Sequence, residues 1–69
     1  MYRNLKAEMI RANIASKDIA ELLGIRYGAV INRLNGRNRF YLDEAFKIQS
    51  IFFPQIDIKY LFEIMDNVA

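Results

Sequence analysis

The sequence predicts a small all-α protein: one compact domain of five helices. Three observations lead there. Apolar residues recur at three- and four-residue spacing along most of the chain, and no segment alternates as a strand does. Gly24, Gly36 and Pro54 fall where the periodic stretches stop. Of the 69 residues, 54% are hydrophobic, which excludes a disordered composition.

Leu5, Met9 and Ala12 or Asn13 repeat at helical spacing, with Arg3, Lys6, Glu8 and Arg11 for the wet side. They predict a first helix over about 2–12, broken by Asn13-Ile14-Ala15-Ser16. Ile19, Leu22 and Leu23 predict a second helix over 16–23, with Ser16 as its N-cap and Gly24 just past its end. A third periodic segment begins at Tyr27. Tyr27, Val30 and Leu34 share one face, Gly28, Ile31, Asn32 and Asn35 the other, and Asn35-Gly36 closes it.

The fourth helix, over 42–53, has a wide apolar surface of Leu42, Ala45, Phe46, Ile48, Ile51, Phe52 and Phe53, with Asp43, Lys47 and Ser50 as its polar stripe. So apolar a helix is expected at the centre of the fold. Pro54 ends it. Asp57 is placed to cap a short fifth helix over Ile58–Phe62. Phe40, Phe46, Phe52, Phe53 and Phe62 are expected to fill the core.

Histidine and cysteine are both absent. Disulfide staples, thiol chemistry, imidazole catalysis and the usual zinc sites go with them. Asp43 and Glu44 could be imagined as an acid–base pair, but no nucleophile motif or glycine-rich phosphate loop accompanies them, and the sequence does not read as an enzyme. No cofactor, metal or small-molecule ligand is expected. No apolar run approaches the roughly 18 residues of a membrane span, and a soluble cytoplasmic domain is expected.

Net charge is +2, unevenly spread. Residues 22–42 hold Arg26, Arg33, Arg37 and Arg39 and no acid, whereas residues 43–69 hold two lysines and five acids. A basic block of this kind suits a polyanion.

Two short helices around a glycine turn are the helix-turn-helix arrangement. Its demands are met in order: small Ala20 at the helix contact, Gly24 in the turn, branched Val30 inside the next helix, and Ile19, Leu23 and Ile25 at the remaining buried positions. The chain resembles the Cro/CI (XRE) helix-turn-helix family of phage and bacterial repressors, in particular its short phage-type members. Asn4–Met9 looks like the family's first helix and Lys17–Ile25 its second helix and turn. Leu34-Asn35-Gly36 looks like its third-helix ending and Leu42–Ile48 its fourth helix. Phe52-Phe53-Pro54 with Tyr60-Leu61-Phe62 looks like the ending of the phage-type branch. No piece is specific alone; together, in order and at family spacing, they are.

The resemblance implies a lambda-repressor-like domain over 1–69, with the helix-turn-helix at about 16–35, in a bacterial or phage-infected cell. It implies sequence-specific binding of duplex DNA by a transcriptional repressor at an operator. The base-facing candidates are Arg26, Tyr27, Gly28, Ile31 and Asn32. Arg26 suits guanine, Asn32 adenine, and Ile31 or Tyr27 a thymine methyl. Tyr27 has a second reading, half-buried beside Val30 and Leu34. The phosphate candidates are Ser16, Lys17, Arg33, Asn35, Arg37, Asn38, Arg39 and Tyr41.

Departures from the family pattern are Ala15-Ser16 where Thr or Ser followed by Gln is usual, Tyr41 where a capping Thr is usual, and Gly28-Ala29 where polar readers are common. They keep open an alternative, a protein-interaction module on the same fold. One helix reads too few base pairs for a genomic site, so a weak homodimer is expected, with its formation only on DNA left open. Phe53, Ile58, Ile64, Met65 and Val68 are its candidate surface, unless they only close the core.

Overall fold

The computed structural model describes residues 1–64. Five helices follow in chain order: α1 (Arg3–Ala12), α2 (Ser16–Leu23), α3 (Tyr27–Leu34), α4 (Leu42–Phe52) and α5 (Ile58–Leu61). No strand occurs among the described residues, and no helix there is long and apolar enough to cross a membrane. The first four helices each bury two side chains: Leu5 and Met9, Ile19 and Ala20, Val30 and Leu34, Ala45 and Ile48. Leu61 of α5, Tyr2 and Phe53 complete the core. Leu5 and Met9, and Val30 and Leu34, keep the helical spacing read from the sequence; in α2 the buried pair is Ile19 with the small Ala20, while Leu22 and Leu23 are half-buried.

The first three helices end alike. Asn13, Gly24 and Gly36 take positive φ values of 57°, 67° and 86°. Beyond each, a backbone N–H reaches back over the last turn: Ile14 to Met9 O at 2.8 Å, Ile25 to Ala20 O at 3.2 Å, Arg37 to Asn32 O at 2.9 Å. This motif satisfies carbonyls that the helix leaves over, and it needs a left-handed residue. Two of the three have glycine there; Asn13 does without.

The start of α2 departs from expectation. Ser16 is the first helical residue of α2, and the N-cap is Ala15, which has no side-chain acceptor. Asp18 compensates: its Oδ2 accepts the Ala15 N–H at 2.8 Å. At α4, Tyr41 is the N-cap, and Glu44 Oε1 accepts its N–H at 2.9 Å. In both places the carboxylate one turn inside the helix replaces the missing cap, half of a capping box. Asp57 caps α5 as expected, accepting the Tyr60 N–H at 3.1 Å.

α4 does not bury the wide apolar surface expected of it. Only Ala45 and Ile48 are buried; Leu42, Phe46 and Ile51 are exposed. The helix stops at Phe52, and α5 at Leu61, each one residue short of expectation. Phe53 turns into the core and is 3% exposed, which removes it from the dimer surface assigned to it. Of the other candidates there, Ile58 and Ile64 are half-buried, and Met65 and Val68 lie outside the described residues. The turn after α4 is gathered by Gln49, whose Nε2 donates to Phe53 O at 3.3 Å and Ile56 O at 3.1 Å.

Residues near the N-terminus meet those around α5. The rings of Tyr2, Phe40 and Phe62 pack edge to face, with centroids 5.2–6.1 Å apart. Asn4 Nδ2 donates to Tyr60 O at 2.8 Å, and the Tyr60 hydroxyl donates to Glu8 Oε2 at 2.9 Å. Glu8 also pairs with Arg11, and Tyr60 together with Glu8 pushes the Arg11 pKa up.

Candidate nucleic-acid interface

Three residues, Gly24-Ile25-Arg26, connect α2 to α3. Gly24 turns the chain, Ile25 is half-buried against the core, and Arg26, extended at φ −69° and ψ 147°, is the N-cap of α3. Buried Val30 and Leu34 fix the rotation of α3 about its axis. That rotation exposes Arg26, Tyr27 and Gly28 and leaves Ile31 and Asn32 half-exposed. Tyr27, at 57% exposure, is on the open side, so the half-buried reading of this residue does not hold. Gly28 has nothing within 4 Å of where a Cβ would stand, so internal packing does not require glycine there.

The segment after α3 carries Asn35, Arg37, Asn38 and Arg39, all exposed. It is tied at several points. Asn32 O accepts the N–H groups of Arg37 at 2.9 Å and Asn38 at 3.4 Å, and the Phe40 N–H donates to the Tyr2 hydroxyl at 3.2 Å. Phe40 sits in the aromatic trio. The two arginines therefore project from a fixed loop.

Arg33 behaves differently. Its Nε lies 3.2 Å from Glu44 Oε1, with side chains only 12% and 11% exposed, and its guanidinium lies 5.3 Å from the centre of the Tyr41 ring. Nε is buried and not aligned for a hydrogen bond with that oxygen. The head of Arg33 is thus held inside the molecule, whereas Arg26, Arg37 and Arg39 are exposed. Among the described residues the ion pairs are Glu8–Arg11 and Arg33–Glu44, which leaves those three arginines and Lys17 without a partner there.

Ser16, Ile31 and Asn35 come together on a cleft of about 360 Å³ between α1, α2 and α3. Its other wall includes Lys6 and Ile10, which the sequence reading did not single out. Ile10 is 81% exposed. The signal was present: Ile10 falls off the Leu5–Met9 stripe and is apolar. Asp18 and Glu21 line a different cleft, with Ile51 and Phe52. The exposed start of α3 thus carries Arg26, Tyr27 and Gly28, and Ile10 and Ile31 line the cleft between α1, α2 and α3.

Compared with protein-family models, curated proteins and solved structures, the chain finds no match.

Proposed function

We propose that α2 and α3 form a helix-turn-helix and that the protein binds duplex DNA sequence-selectively, as a transcriptional repressor of Cro/CI type. The observation that carries this reading is the three exposed arginines at the two ends of α3, none with an ion-pair partner among the described residues. Arg26 stands at the open N-terminus of α3, with Arg37 and Arg39 on the tied loop at its other end. A helix of this kind enters the major groove N-terminus first, with Arg26, Tyr27, Gly28, Ile31 and Asn32 toward base edges. Arg37, Arg39, Asn38 and Asn35, with Lys17 and Ser16 at the start of α2, then face the flanking phosphates. Arg33 acts from behind, holding the N-terminus of α4 and the Tyr41 ring against α3.

Selection of bound duplexes from a random pool tests the reading. A recovered consensus, bound more tightly than random DNA at moderate salt, is the expected result. No enrichment, with no binding at low salt, overturns it.

The presence of Ile10 and Ile31 on that cleft, with Gly28 and Ala29 in place of polar readers, favours one alternative: a protein-interaction module on this fold. That module leaves random duplex DNA unbound even at low salt, where a repressor binds it through its phosphates.

A further inference from the structure

The cleft between α1, α2 and α3 has a lining of divided character. Lys6 is its one charged side chain, half-exposed and without an ion-pair partner among the described residues. Ser16 and Asn35 add a hydroxyl and an amide, and no acid lines the cleft. The rest is hydrocarbon: Ile10, Ile14 and Ile31, with the buried Met9 and Leu34. Lys6 and Ile10 are one turn apart on α1, so the cation and the exposed hydrocarbon lie side by side. The cleft between α2 and α4 is of the opposite kind, with Asp18 and Glu21 beside its apolar residues. At about 360 Å³ the first cleft falls at the small end of the roughly 300–1,000 Å³ of small-molecule sites. It forms only where three helices meet, so the sequence alone does not announce a ligand.

We propose that this cleft binds a medium-chain fatty acid, its carboxylate at Lys6 and its tail against Ile10, Ile14 and Ile31. Each part of the lining narrows the choice. An ammonium without a partner calls for one negative charge, which a neutral hydrocarbon lacks. Isoleucine walls offer nothing to a hydrated phosphate, but they reward every methylene taken out of water. Ser16 and Asn35 supply neutral donors for the lone pairs of the carboxylate that Lys6 leaves free. The small volume favours a medium chain over a long one. Ser16, Ile31 and Asn35 also belong to the proposed DNA face, so a bound fatty acid and a duplex compete for them. That competition rests on the DNA-binding reading; the ligand site does not, and it is tested without DNA.

The test is an NMR titration of the whole, isotope-labelled chain with decanoate below its micelle concentration. Amide shifts are expected to move at Lys6, Ile10, Ser16 and Ile31 and to stay still at Glu21 and Ile51, on the acid-lined cleft. Octanoate binds more weakly, by up to about fourfold for each methylene removed. Decylammonium, with the same tail and the opposite charge, binds about tenfold more weakly or worse. Lys6→Gln and Ile10→Ser, at positions outside the buried core, each weaken decanoate binding about tenfold with unchanged thermal midpoints, whereas Ile51→Ser leaves binding as it was. Equal binding of decylammonium, or undiminished binding by Lys6→Gln, overturns the carboxylate assignment. No shift at millimolar decanoate overturns the site; if phosphatidylglycerol vesicles then bind the chain, the cleft serves a membrane surface instead. In a second arm, decanoate is expected to release the selected duplex, and Ile10→Ser, which binds that duplex normally, to resist release. Decanoate bound without release overturns the competition alone. A chain that binds no duplex fails the DNA reading, while the titration still decides the site.

Discussion

Glu44 Oε1 stands 3.2 Å from Arg33 Nε and accepts the Tyr41 N–H at 2.9 Å, so one oxygen joins α3 to the first turn of α4. Glu44→Ala removes a helix cap and strands a nearly buried guanidinium. The expected loss is about 2–3 kcal/mol in urea denaturation, between the cost of a cap and that of breaking a buried pair. Glu44→Gln, which keeps an acceptor for the Tyr41 N–H, loses less. In an Arg33→Met background the cost of Glu44→Ala falls to about that of the cap alone, which a double-mutant cycle measures.

Gly24→Val puts a β-branched side chain at φ 67°. No atom stands in its way, so the backbone conformation alone sets the cost, about 1–2 kcal/mol or more. Asn13→Gly is the converse, expected to stabilise by up to about 1 kcal/mol because Asn13 already holds φ 57°. An unchanged midpoint for Gly24→Val removes the account of how these helices end.

Gly28→Ala separates folding from reading. A methyl group there meets nothing, and alanine is the better helix former by about 1 kcal/mol. The variant is expected to melt at a higher temperature and, on the proposed reading that sets Gly28 against base edges, to bind the selected duplex more weakly. A more stable variant with undiminished affinity takes Gly28 out of the interface.

Arg37→Ala and Arg39→Ala are expected to weaken binding to all duplexes alike. Each lowers the log–log salt slope by about 0.9 for one lost phosphate contact. Asn32→Ala costs about 1–3 kcal/mol on the preferred site and little on random DNA. Arg33→Met, whose charge is engaged by Glu44, leaves the salt slope unchanged. Salt titrations of the three classes on selected and random duplexes decide between these roles.

Much of the fold was legible because helix periodicity and left-handed turn residues are local signals. Gly24, Gly36 and Asp57 marked helix ends as expected, and Ile19, Val30 and Ile48 are fully buried. What escaped depended on groups that meet only in three dimensions. Asp18 and Glu44 look like ordinary surface acids, and their capping role emerges once Ala15 and Tyr41 are known to precede them. The composition of α4 offered more apolar residues than one face can use. Tertiary packing chose Ala45 and Ile48 and left Leu42 and Phe46 outside. Arg33 read as one more basic residue in an acid-free block because its partner lies eleven positions away, in the next helix.

The junction of Tyr2, Phe40 and Phe62 bears on how the molecule is made. Its polar ties span 38 residues from Phe40 to Tyr2 and 56 from Tyr60 to Asn4, whereas each helix closes on itself within a few residues. Helices form early and such long closures late. During synthesis, α2 and α3 leave the ribosome before Phe62, so the loop carrying Arg37 and Arg39 lacks its full aromatic support until Phe62 follows. A chain arrested before Phe62 thus displays the basic residues without their final arrangement.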